Sequence, residues 1–184
     1  ACRVLFTIAL FTLLGVYVSY AVHQLGLSAA GVGTTLATYG LGMVVGALLA
    51  PRIVLKVHFG VAVAIGPLAG LAAGCIMLLT LWLPTAFLAA ASFFLMGAGP
   101  MVYLISTATL QQTVTPRHLL GRVSAINSLA YGARPIGAAL GALVGGTYGE
   151  EMCLVLAAAV FVLQALVILA SPVMRLARQP ELVP

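Results

Sequence analysis

The sequence predicts an all-α membrane protein, a single bundle of six spanning helices over residues 1–184, and three observations carry that prediction. Hydrophobic residues make up 63% of the chain and charged residues 6%, with a mean hydropathy of +1.21. A soluble domain needs far more charge on its surface. Six apolar blocks, each long enough to cross a hydrocarbon layer of about 30 Å, follow one another. Only short connections separate them, so no soluble domain or long linker interrupts the bundle.

The first block runs from about Val4 to Ala21. It begins without methionine, passes directly into more apolar sequence and lacks a cleavage pattern, so it reads as a helix and not as a signal peptide. The second, about Ala30 to Ala50, follows the turn residues HQLGLS; Tyr17 on the first block and Thr35, Thr38 and Tyr39 on the second are polar candidates for a lining role. The connection PRIVLKVH leads to the third block, about Phe59 to Leu81, and WLP leads to the fourth, about Pro84 to Leu110. On the fourth, Tyr103, Thr107 and Gln111 recur every four residues and so share a helical face. Threonine in a membrane helix also bonds its own backbone readily, which is the competing reading of that face.

The fifth block, about Val123 to Thr147, is the most informative. Asn127, Tyr131 and Arg134 fall at i, i+4 and i+7, one polar stripe on an apolar helix. Twelve residues at about 1.5 Å each separate Arg134 from Arg122, placing it roughly 18 Å into the apolar layer. A charge at that depth costs about 2.5–3.5 kcal/mol on insertion scales, so it faces a partner or a wet cavity. The chain contains no aspartate, and Glu150 and Glu151 stand beyond the far end of this block, in the connection YGEE. The stripe is therefore read either as substrate-facing or as a structural arginine held by carbonyls and water. The sixth block runs from about Met152 to Val173.

Lysine and arginine fall at alternate ends of the blocks: Arg3, then Arg52 and Lys56, then Arg117 and Arg122, then Arg175 and Arg178. By the positive-inside rule both termini are cytoplasmic, in a multi-pass protein of the cell (inner) membrane. The basic residues are dispersed, not clustered, which excludes nucleic acid as a partner despite a formal charge of +5. Cys2, Cys75 and Cys153 are isolated and lack the spacing of a metal site, and no cofactor is expected. Gly26-Leu27-Ser28-Ala29 is a poor match to a serine-nucleophile motif and no histidine follows on a later helix, so no enzyme is expected.

Gly42 and Gly46, then Gly66, Gly70 and Gly74, then Gly137, Gly141 and Gly145 have the small-xxx-small spacing of close helix crossings in lipid. Pro67, Pro100 and Pro135 each remove a backbone donor within a predicted span, freeing the carbonyls of Val63, Met96 and Tyr131. The third and sixth blocks are nearly all aliphatic, with Thr80 and Gln164 the polar exceptions, and are expected at the periphery facing lipid.

Thr115-Pro116, Gly121-Arg122-Val123-Ser124, Gly132, Pro135-Ile136-Gly137-Ala138 and Gly145-Gly146 resemble the link between the tenth and eleventh helices of major facilitator superfamily transporters, closest to the bacterial branch of enterobactin and macrolide exporters. The resemblance covers essentially the whole chain as the C-terminal six-helix half. It implies an inverted three-plus-three repeat, alternating access by a secondary transporter, efflux of a small-molecule substrate, and an N-terminal six-helix half as partner in the lipid bilayer. Gly46, Leu48, Arg52 and Lys56 match that superfamily's repeated cytoplasmic loop motif, but Ala50 stands where its aspartate would be. Arg52 and Lys56, with Arg117, Gly121 and Arg122, are the candidates for a cytoplasmic loop or gate; without the aspartate a charge relay is not expected, and topology-setting cations are the simpler reading. The second reading is a complete six-helix protein acting as a dimeric carrier or channel.

Overall fold

The computed structural model describes residues 2–114, 121, 128 and 131–171. The described residues form an all-α bundle: α1 (Cys2–His23), α2 (Ala29–Lys56), α3 (Phe59–Leu79), α4 (Ala86–Val114), a single 3-10 turn at Tyr131–Ala133 leading into α5 (Arg134–Tyr148), and α6 (Glu150–Leu169). Five of the six, all but α5, are long and apolar enough over their described lengths to cross a membrane.

Glycine faces set the packing. A Cβ on Gly137 would stand 2.6 Å from the Ile8 carbonyl oxygen, and one on Gly141 the same distance from that of Thr12, while Gly145 meets the Val16 side chain. Residue numbers rise together in that series, so α5 lies parallel to α1 with the two backbones in close approach. Gly42 and Gly46 meet the backbone of Phe94 and Ala98 in the same sense, laying α2 parallel to α4. Gly66 against Tyr103, and Gly99 against Ala69, cross α3 antiparallel to α4; Gly70 and Gly74 against Phe161 cross it antiparallel to α6. Few hydroxyl–carbonyl bonds bridge helices, but each joins a glycine-matched or neighbouring pair: Thr12 to the Gly137 carbonyl at 3.1 Å and Ser92 to that of Ala73 at 2.8 Å.

The pattern of contacts repeats when α1–α3 is exchanged for α4–α6. The pair α2 with α4 becomes α5 with α1, α3 with α4 becomes α6 with α1, and α3 with α6 maps onto itself. Phe6 meets Phe161 and Ser19 meets Glu150, so α1 runs antiparallel to α6, as α6 does to α3 and α3 to α4; α1 and α4 therefore point in opposite directions, which makes the two triplets an inverted repeat.

The structure corrects three expectations. The helices α3 and α6 have more helix neighbours than expected, α3 packing on α4 and α6, and α6 on α1, α3 and α5, while Leu68 of α3 and Leu163 and Leu166 of α6 stay exposed. Across their most apolar stretches 50% and 44% of residues are buried, against 17% for α2, whose only extensive partner is α4. Aliphatic composition cannot separate lipid from helix neighbours because lipid tails are as apolar as leucine, and the glycine faces of α3 decide instead. Second, α2 does not stop at Ala50 but continues through Pro51 to Lys56, so Arg52 and Lys56 are exposed residues of its last two turns and not of a loop. Third, Pro135 lies in the first turn of α5, where proline's missing donor and fixed φ suit the helix start.

Candidate functional site

A cavity of about 420 Å³ lies inside the bundle and draws its lining from all six helices. That volume falls in the range of roughly 300–1,000 Å³ typical of small-molecule sites. Its walls are mostly aliphatic and aromatic, with Arg3 and Thr7 toward the start of α1, and Tyr39, Tyr103, Arg134 and Gln164 contributed by other helices. Pro67 of α3 and Pro100 of α4 also line it.

Arg134 reaches this space because of two neighbours. One turn further along α5, Gly137 brings the helix backbone against Ile8 and Phe11 of α1. The Arg134 guanidinium carbon then lies 5.5 Å from the centroid of the Phe11 ring, a cation–π contact. Phe11 is the tenth of the 22 residues of α1, so the charge sits beside the middle of that span. Tyr39 on α2 and Tyr103 on α4 border the same cavity.

Other candidates bond within or between helices. Tyr17 is fully buried, donates to the Thr35 hydroxyl at 2.6 Å and sets its ring edge-on to Phe93 at 4.5 Å. Thr38 donates to the carbonyls of Thr35 (2.6 Å) and Ala90 (2.9 Å), tying α2 to α4. Thr107 donates to the Tyr103 carbonyl one turn back at 2.8 Å, the backbone-bonding alternative. Ser28 caps α2, its hydroxyl accepting from the Gly31 amide at 3.2 Å. Gln111 lies in the last turn of α4 and Tyr131 in the 3-10 turn. Gly121 is exposed, and Asn127, Arg117 and Arg122 lie outside the described residues.

Two lining residues were not anticipated. Arg3 had been read only as a topology signal. Gln164, expected on a lipid-facing helix, is 4% exposed, borders the cavity, and its Oε1 has no hydrogen-bond partner among the described residues. An amide in an otherwise aliphatic helix was the available signal, since a polar group in a span turns inward.

At the opposite end of α1, Ser19 and His23 meet Glu150, the first residue of α6: Ser19 donates to the carboxylate and the His23 Nδ1 lies 3.3 Å from it. The carboxylate also suits the positive end of the α6 dipole.

Chemically, the site offers two guanidinium groups, two phenols and one carboxamide around an apolar volume. That combination binds and orients; among the described lining residues there is no nucleophile–base pair. Set against known protein families, curated proteins and solved structures, the chain matches none.

Proposed function

We propose that this bundle is half of a secondary transporter that moves a small amphipathic molecule by alternating access, with the central cavity as its share of the substrate path. The observation that carries the reading is a cavity bordered by all six helices, running from the start of α1 to about its middle, with Arg134 beside that middle. The inverted repeat supports it, because transporters of that build place their sites near the midplane between repeats. So does the resemblance to the C-terminal half of a major facilitator exporter. In that reading both termini face the cytoplasm of the cell membrane, and a companion six-helix half covers the exposed faces of α2 and α5.

The test is efflux by cells producing the full-length protein. Met101→Trp places an indole into the cavity wall and is expected to abolish efflux at wild-type abundance; Arg134→Met is expected to reduce it at least tenfold. Normal efflux by both variants would refute the transport reading. Failure of Arg134→Met to accumulate, with normal efflux by Met101→Trp, would leave the arginine a structural role alone.

A further inference from the structure

Two features of the cavity have no use in a general transport reading. The first is its charge. Arg3 and Arg134 both border it, and no carboxylate does among the described residues. Both arginines have partners of their own, and the described lining holds these two guanidinium groups and no acid. Arg134 is exposed in the described bundle and lies level with the middle of α1, where an anion offsets the cost that an apolar layer imposes on a cation. Arginine's planar fork suits carboxylates, sulfonates and phosphates, which it can hold through two parallel hydrogen bonds.

The second feature is Gln164. Among the described residues its Oε1 is a buried acceptor without a donor, although the side chain borders the cavity and is more than nine-tenths buried. Leaving such an atom unpaired is unfavourable, and native structures rarely tolerate it without a purpose. Gly70 makes the room: its position meets the Phe161 ring and, at 3.5 Å from a built Cβ, Gln164 Oε1. The terminal amide torsion of glutamine is broad, so a modest rotation presents the oxygen to a donor within the cavity.

We propose that the cavity selects amphipathic organic anions that also carry an N–H or O–H donor. Arg134 receives the anionic group, Phe11 and the aliphatic wall take the apolar body, and Gln164 accepts from the donor. Arg3 adds a second positive charge nearer the start of α1, where it attracts the anion on entry. The substrate class rests on the transport reading for its biological meaning, but binding tests it separately.

The experiment titrates the full-length protein in phosphatidylcholine nanodiscs, with empty discs subtracted. The probes are 1-anilinonaphthalene-8-sulfonate, its uncharged parent N-phenyl-1-naphthylamine, and the N-methylated sulfonate. The sulfonate is expected to bind at least about tenfold tighter than the parent, the scale of one charged hydrogen bond. Arg134→Met should erase that difference, and Arg134→Lys should restore only part of it. Gln164→Leu should weaken the N–H sulfonate about threefold to tenfold and leave the N-methylated one unchanged. Gln164→Glu should weaken both sulfonates and not the parent.

Equal affinity for sulfonate and parent, or a preference that survives Arg134→Met, overturns the anion assignment. Equal weakening of both sulfonates by Gln164→Leu overturns the role of Gln164. Adding phosphatidylglycerol to the discs separates a soluble anion from a lipid headgroup: unchanged affinity supports the first, and a tenfold loss assigns the site to the headgroup and overturns the proposal. Transport that continues for neutral probes while the sulfonate does not bind refutes the substrate class and leaves the transport reading standing. Sulfonate binding without transport of any probe does the reverse.

Discussion

At the scale of single residues, hydroxyl groups were the hardest to read. Tyr17, Thr38 and Thr107 carry groups that a cavity or a neighbouring polar atom can use: Tyr17 and Thr38 bond across to other helices, and Thr107 bonds its own backbone. Arg134 and Tyr103 stood out in the sequence because a guanidinium and a phenol have no aliphatic equivalent, and both border the cavity, Tyr103 where Gly66 makes room for it. Gln164 was visible as an oddity, but its direction depends on which neighbour α6 chooses, which one-dimensional spacing does not record. Tyr17→Phe keeps the ring against Phe93 and removes the donor to Thr35. It is expected to lower stability by about 0.5–1.5 kcal/mol in a thermal unfolding assay, with substrate KM unchanged. A large KM change would return Tyr17 to the substrate path.

Helices and their joints were read well in number and less well in extent. The count of six and the glycine faces were present in the sequence, because periodicity and small-residue spacing are local properties. The boundary of α2 was missed because proline and basic residues suggest a loop, yet Pro51 is accommodated within the helix. Glycines on different helices should respond differently to a methyl group. Gly141→Ala drives a Cβ to 2.6 Å from the Thr12 carbonyl oxygen and must part α5 from α1, at about 1–3 kcal/mol. Gly33→Ala and Gly40→Ala on α2 meet open space and should be neutral or stabilising by about 0.5–1 kcal/mol. Comparing the unfolding temperatures of the three variants checks this; a uniform response would mean that propensity outweighs contact. Gly149, the only residue between α5 and α6, has φ 89° and ψ 168°, a conformation essentially confined to glycine. Gly149→Ala is expected to cost about 1–3 kcal/mol by the same assay.

For the whole molecule, arrangement was the least legible level. Which helices lie inside depends on contacts between distant segments, and in lipid the hydropathy of α3 and α6 is silent on that point. Sidedness is testable directly. Cysteine placed at His23, the last residue of α1, should be labelled only from outside the cell, and at Lys56, the last of α2, only from the cytoplasm. Labelling of both from one face would overturn the orientation. The inverted repeat also bears on how the protein is made. Within the first triplet, α1, α2 and α3 scarcely touch one another, and nearly all their packing partners belong to the second triplet. Each of the first three helices therefore enters the bilayer before the surfaces it will press against have been synthesised. Assembly must wait for α4 to α6, so truncations ending near Thr85 should yield inserted but unassembled helices that are readily degraded.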